Sequence, residues 1–165
     1  MLLTDQPVHL ANLSKKEKKQ LLKQTEIFNG FTDRELDDLS SLVVMSHYPA
    51  EYEIFVEGST GAEMYIIITG KVCLTIDLGA SEWTKTIVLS SNTFFGEMSL
   101  LDDRPRSAGA VMCAEGILVS LDKNTFRKLI KKFPKFTINI MTTLCDRLRK
   151  VNDLVLQLGQ HIART

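Results

Sequence analysis

The period of the apolar residues changes twice along this chain, and that change limits the fold more than any other feature. From Val43 to Leu121 the runs "VVMSHYPA", "EIFVEG", "MYIIITG", "KVCLTIDL", "TKTIVLS" and "GILVSLD" are short and rich in β-branched residues. Gly58, Gly61, Gly70 and Gly116 punctuate them. Short strands at such regular spacing predict a compact antiparallel roll or barrel. On either side the spacing is helical. "SKKEKKQLLKQTEIF", residues 14–28, reads as a helix with Leu21, Leu22 and Phe28 available to dock, and Ser14 with Glu17 forms a capping box. "FTDRELDDLSSLV" begins with a Thr32 cap and places Leu36, Leu39 and Leu42 at helical spacing. After Leu121 come "DKNTFRKLIKKF", a break at Pro134, and a long run from Thr137 towards Gln160. Helices, strands, then helices predict the α+β class: an antiparallel, jelly-roll-like β-roll flanked by N-terminal helices and a long C-terminal helix.

Composition narrows the function classes. The 165 residues suffice for one domain with a core, and Lys+Arg and Asp+Glu both count 20, so no global field favours nucleic acid. The N-terminal "MLLTDQPVHLANLS" lacks a basic stretch followed by a continuous apolar core, and no window approaches the roughly 18 apolar residues of a membrane span. Cys73, Cys113 and Cys145 are odd in number and widely spread, which predicts reduced thiols and a cytoplasmic protein. The basic run Lys15, Lys16, Lys18 and Lys19 reads as the solvated face of its helix, with a membrane or nucleic-acid contact as the other reading.

Several chemistries are not expected. A metal site in a barrel needs imidazoles and a carboxylate converging from adjacent strands, yet His9, His47 and His161 lie in three separate regions. The three distant cysteines do not make an iron–sulfur cluster. No serine stands in a G-x-S-x-G elbow, and no glycine run forms a P-loop or a dinucleotide fingerprint. Neither catalytic residues nor a bound cofactor are expected, and the chain reads as a binding protein.

Two segments carry positive signals. In the last helix Met141, Leu144, Leu148, Val151, Val155, Leu158 and Ile162 follow a 3-4 spacing, an a/d seam of about three heptads. The seam predicts a homodimer through residues 141–162, or packing back on the roll, and one long helix has room for both uses. The other segment is "FFGEMSLLDDRPRSAGAV", residues 94–111. Gly96 allows close backbone approach. "EMSLL" is long enough for one helical turn with free amides. Arg106 offers a planar charged fork suited to phosphate oxygens, and Ser107 a hydroxyl beside the small Ala108. An ionised Glu97 only accepts hydrogen bonds, so a ligand hydroxyl is its natural partner. The competing reading is a turn in which Glu97 or Asp102 pairs with Arg104 or Arg106. Residue types leave both open.

The segment resembles the phosphate-binding cassette of cyclic-nucleotide-binding domains, the catabolite-activator-like rolls. "IFNGFTDRELDDLSSLV", "EIFVEGSTGAEMYIIITGKV" and "FRKLIKKFP" are similar to that family's leading helix, early strands and following helix, over about residues 25–155. The resemblance implies that Glu97 binds a ribose 2′-hydroxyl and Arg106 the cyclic phosphate. Ser107, Ala108 and the backbone at Gly96, Met98 and Ser99 would complete the phosphate shell. Leu74 and Leu89 would face the base, and Arg149, Val151 and Asn152 would reach it from the C-terminal helix, which closes as a lid. Ser107, where a threonine often accompanies cGMP preference in this family, implies cAMP ahead of cGMP. Three regions are expected: a helical extension over 1–24, the roll with its leading helices over 25–133, and a lid and dimerisation helix over 134–165. Ending at Thr165, the chain reads as a stand-alone or excised sensor without a helix-turn-helix and without DNA binding of its own, signalling to an unknown downstream protein. The alternative is a scaffold dimer that keeps the roll and binds no nucleotide.

Overall fold

The computed structural model describes residues 6–77 and 84–162. A short strand β1 (Val8–His9) precedes helix α1 (Lys15–Lys23), a 3-10 turn at Glu26–Phe28 and helix α2 (Asp33–Ser40). The roll comprises β2 (Val44–Tyr48), β3 (Glu53–Phe55), β4 (Glu63–Ile67), β5 (Lys71–Asp77), β6 (Thr84–Ser90), β7 (Phe94–Phe95), a short helix α3 (Met98–Asp102), β8 (Gly109–Ala114) and β9 (Gly116–Asp122). Helices α4 (Lys123–Lys132) and α5 (Pro134–Ile162) follow. The strands form two antiparallel sheets, ordered β1-β2-β9-β4-β7 and β3-β8-β5-β6. The α+β roll between helices is the class that the change of period predicts.

Both predicted caps form. The Ser14 hydroxyl accepts from the Glu17 amide and Glu17 accepts from the Ser14 amide at 2.8 Å; Thr32 and Glu35 repeat the box on α2. The first helix is shorter than its pattern, because it ends at Lys23 and Thr25 turns its hydroxyl back onto the Leu22 carbonyl at 2.8 Å. Phe28 therefore docks from a 3-10 turn. Of the basic run, Lys19 pairs with Asp37 at 3.0 Å, while Lys15 and Lys16 are exposed.

The five-stranded sheet is buried on both faces along β4. Strand alternation sends Met64 and Ile66 of β4 into one cluster with Leu22, Leu36, Leu39, Phe126, Leu129 and Phe136 from the helices. Tyr65 and Ile67 point the other way, into a second cluster with Val72, Ala110 and Met112 of the four-stranded sheet. Hence "MYIIITG" reads as a continuous apolar run instead of an alternating one. The β7 pair splits likewise: Phe94 joins the helix-side cluster and Phe95 the roll interior.

Pro134 starts α5 instead of lying before it, consistent with the preference of proline for the first helical position. The first turns of α5 are held by Lys135, which donates to the Gly30 carbonyl and to Glu35, both at 2.8 Å, and by Asn139, which donates to the carbonyls of Ile27 and Asn29. Lys135 and the Thr32 cap lower the Glu35 carboxyl to about 2. From Leu148 to Gln157 every residue is exposed. The seam therefore divides: Leu144 packs on the helix-side core, whereas Met141, Leu148, Val151 and Val155 face solvent. The side chains of Leu158, His161 and Ile162 lie outside the described ones.

The expectation of three reduced thiols is corrected. Cys73 and Cys113 are disulfide-bonded across β5 and β8, and Cys145 alone is free and exposed. Their distance in sequence hid a pairing that the strand register creates. Among the described residues no His, Cys, Asp and Glu group is arranged to hold a metal ion, and no helix is long and apolar enough to cross a membrane.

Phe136 is fully buried, stacked on Phe28 at 5.9 Å and edge-on to Phe126 at 6.0 Å. Phe136→Ala is expected to cost about 3–5 kcal/mol by removing the wedge between α5 and the helices it docks on. A urea titration against the parent protein measures the loss.

Candidate ligand site

Gly96 follows the split phenylalanines at φ +77, a left-handed conformation that turns the chain out of β7. The turn delivers Glu97 to the start of α3, where its carbonyl accepts from the amides of Leu100 and Leu101 at 3.0 and 3.1 Å. By helix geometry the amides of Met98 and Ser99 open this turn without an acceptor inside it. Asp103, also left-handed at φ +58, ends the helix, and Arg106 lies in the irregular segment that leads into β8. There the Arg106 amide donates to Ser59 and its carbonyl accepts from Gly58, both at 2.8 Å.

Arg106 is 6% exposed. Its Nη1 donates to the Gly96 carbonyl at 2.8 Å, its Nη2 donates to the Glu63 carbonyl at 2.7 Å, and the guanidinium lies 4.0 Å from the Phe55 ring centroid. The buried Nε has no hydrogen-bond partner. Among the described residues no carboxylate comes within ion-pair distance of this guanidinium, so neutral carbonyls and one ring face hold a full positive charge. Burial lowers its pKa, against the pull of Tyr65, Glu63 and Glu97. Two glycines make the berth: a Cβ on Gly61 would lie 2.3 Å from the Arg106 Nε, and one on Gly96 2.7 Å from Nη1.

Glu97 is 4% exposed and finds its partner elsewhere. Arg147 of α5 donates from Nη1 to Glu97 Oε1 at 3.1 Å, and from Nη2 to the Phe94 carbonyl and the Thr93 hydroxyl. Its guanidinium covers the Phe94 ring at 4.7 Å. Burial raises the Glu97 carboxyl above its ordinary value, with Arg147 opposing the shift. The salt-bridged-turn reading is met only by Asp102, which accepts from the Arg104 amide at 3.1 Å and lies 3.9 Å from its side chain. Glu97 and Arg106 remain separate.

These groups line a cavity of about 90 Å³, smaller than the roughly 300–1,000 Å³ usual for small-molecule pockets. Its wall brings together Gly96, Glu97, Met98, Ser99, Arg106, Ser107, Ala108 and Leu74 with Phe55, Phe95 and Arg147. The Ser107 hydroxyl contacts the Met98 sulfur at 3.5 Å. Of the other residues implicated by sequence, Leu89 packs on the roll-side core opposite Val72, outside the wall. Arg149 pairs with Asp146 at 3.0 Å, and Val151 and Asn152 are exposed beyond the last docked turn of α5. Arg147 is the residue that sequence reasoning missed. The docked stripe Phe136, Ile140, Leu144 continues at helical spacing to position 147, and a cation there was the available signal.

The site thus holds a carboxylate and a guanidinium apart in one half-apolar cavity. The fold that carries it is an antiparallel β-roll flanked by helices. Residues 45–133 match the family model described as the cyclic nucleotide-binding domain, and the chain belongs to that family. A cyclic AMP receptor protein of Thermus thermophilus is 36% identical over 138 residues, covering 83% of this chain and 63% of that protein. A cGMP-dependent protein kinase of Caenorhabditis briggsae is 29% identical over 66% of this chain, which is 15% of its own length. Among solved structures, a cyclic nucleotide-binding domain from Methylobacillus flagellatus superposes with a TM-score of 0.75 at 25% identity, covering 91% of this chain and 88% of that one. The chain thus spans under two thirds of the curated relatives' length.

Because the folded Glu97 carboxyl titrates above its ordinary 4.5, its ionisation opposes folding. Stability from this group is full below the unfolded value and falls as pH rises through the folded one. Glu97→Gln, which keeps the shape and removes the charge, should therefore melt higher than the parent at pH 7. The gap should close as pH falls below 4.5, as scanning calorimetry across pH would show.

Proposed function

We infer that the chain binds a cyclic nucleoside monophosphate, cAMP in preference to cGMP, and passes the bound state on through α5. The observation that carries the reading is the buried Arg106 guanidinium, which has an unpartnered Nε and, among the described residues, no carboxylate in ion-pair reach. A cyclic phosphate diester supplies the missing anion. Its ring places a ribose hydroxyl close by, suited to Glu97, the acceptor on the same wall. Leu74, Phe55 and Phe95 offer an apolar surface to the rest of the ligand. Ser107, where relatives with a threonine often favour cGMP, supports cAMP, as does the name of the Thermus relative.

Arg147 makes the output direct. Its ion pair joins α5 to the carboxylate that meets the ribose, so a ligand that engages Glu97 changes the anchoring of the helix. A ligand shifts such an equilibrium only by its different affinity for the two states, and contacts that α5 makes with the base supply that difference. Arg149, Val151 and Asn152, now in solvent, are the residues we assign to that closed state. The solvent-facing Met141, Leu148, Val151 and Val155 are the surface we assign to a second copy of the chain, with 134–165 serving as lid and dimerisation helix.

Calorimetry with cAMP and with cGMP tests the ligand. We expect cAMP to bind more tightly and Arg106→Ala to lose roughly 2–4 kcal/mol of binding, the scale of a charge-assisted buried pair. Binding of neither nucleotide by the intact protein at high micromolar concentration would leave the scaffold dimer as the function. Sedimentation tests the dimer separately. The parent should sediment as a dimer and Leu148→Glu as a monomer with an unchanged circular-dichroism spectrum, since Leu148 is 61% exposed in the single chain.

A further inference from the structure

The four-stranded sheet turns an apolar face inwards through Val72 and Met112, both fully buried, and an open face outwards, where Val88, paired with Cys73 across β5 and β6, is exposed. Cys73 and Cys113 stand on that open face. On β8 the register slips: Val72 opposes Met112 and Lys71 opposes Ala114, so Cys113 is the extra residue of a β-bulge. The bulge swings Cys113 towards Cys73 and sets the two Cα atoms 5.7 Å apart, inside the usual disulfide range of about 4.4–6.8 Å. Cys113 is exposed and Cys73 half-buried beside it. An accessible thiol with a neighbouring thiol behind it is the arrangement that exchange chemistry uses.

We propose that Cys73 and Cys113 form a reversible thiol–disulfide exchange site for small disulfides of the glutathione type, which closes a loop around the ligand-site segment. The Cys113 thiolate attacks one sulfur of the small disulfide, forming a mixed disulfide and expelling one thiolate. The Cys73 thiolate then attacks the Cys113 sulfur, closing the intrachain bond and expelling the second thiolate. Two electrons pass from the protein thiols to the small disulfide, and the two thiol protons end on the departing thiolates; excess reduced thiol runs the sequence backwards. The closed loop spans a sequence separation of 40 and contains the whole segment from Phe94 to Ala108, including Gly96, Glu97 and Arg106. Closing it restricts the unfolded chain over those residues.

The full chain, equilibrated at several ratios of reduced to oxidised glutathione, alkylated without denaturant and weighed by mass spectrometry, tests the site without any nucleotide. Under oxidising ratios one alkyl group is expected, on Cys145, with no glutathione retained; under reducing ratios Cys113 becomes alkylated as well. Cys145→Ser should retain the intrachain bond, and Cys113→Ser should abolish it. The urea midpoint should rise on oxidation in the parent and stay put in Cys113→Ser. The proposal is overturned by alkylation of Cys113 at every ratio, by glutathione remaining on Cys113 without ring closure, by oxidation that only cross-links chains through Cys145, or by a midpoint indifferent to the bond. The exposed Cys113 position tolerates serine, so loss of folding does not confuse the outcome. A protein that binds no nucleotide would still show the exchange.

Discussion

The five-stranded sheet must be shielded from water on two sides at once, and the rest of the molecule is arranged around that requirement. Helices α1, α2, α4 and the start of α5 cover one face, and the four-stranded sheet covers the other. Strand alternation then decides where each residue goes. At β7 it sends Phe94 towards the helices and Phe95 into the roll, and the left-handed Gly96 carries the chain across the boundary between the layers. The ligand site forms at that boundary. Its carboxylate is consequently within reach of a helix, and its guanidinium rests on the roll.

Two buried charges of opposite sign share this cavity without forming a pair. Arg106 rests on two carbonyls and the face of Phe55, while Glu97 is held by Arg147. A direct Glu97–Arg106 pair would satisfy both and leave nothing for a ligand. Gly61 and Gly96 leave the guanidinium a berth that a side chain at either position would invade, while Arg147 engages the carboxylate. The cost of keeping charges out of water without full pairing is visible in the directions of their titration shifts. That cost is local to the cavity, and the ligand we propose would offset it by bringing an anion to Arg106 and a hydroxyl to Glu97.

Much of this was legible in the residues. The two changes of period announced helices, strands and helices, and the Ser14 and Thr32 caps stood where the pattern placed them. Glu97, Arg106 and their small neighbours were identifiable because their chemistry is local to one segment. The residues that were hard to place lie far away in sequence. Arg147 was hidden by Arg149, which looks equally suited but points to solvent and pairs with Asp146. Only the rotation of α5, set by Phe136 and Ile140 in the core, distinguishes the two. The Cys73–Cys113 pairing was hidden for a similar reason, since a bulge in β8 is invisible in the strand pattern.

The sequence by itself determined which elements form, where they start and stop, and which side chains carry charge in the ligand segment. These depend on spacing, capping and residue type, all of which act over a few neighbouring residues. Only the tertiary structure decided that Glu97 and Arg106 stay apart, that Arg147 holds Glu97, that Leu144 docks while Leu148 remains in water, and that two cysteines meet. Each of these depends on the rotation of a helix or the register of a strand. Both are set by how the whole core packs, not by the residues that they bring together.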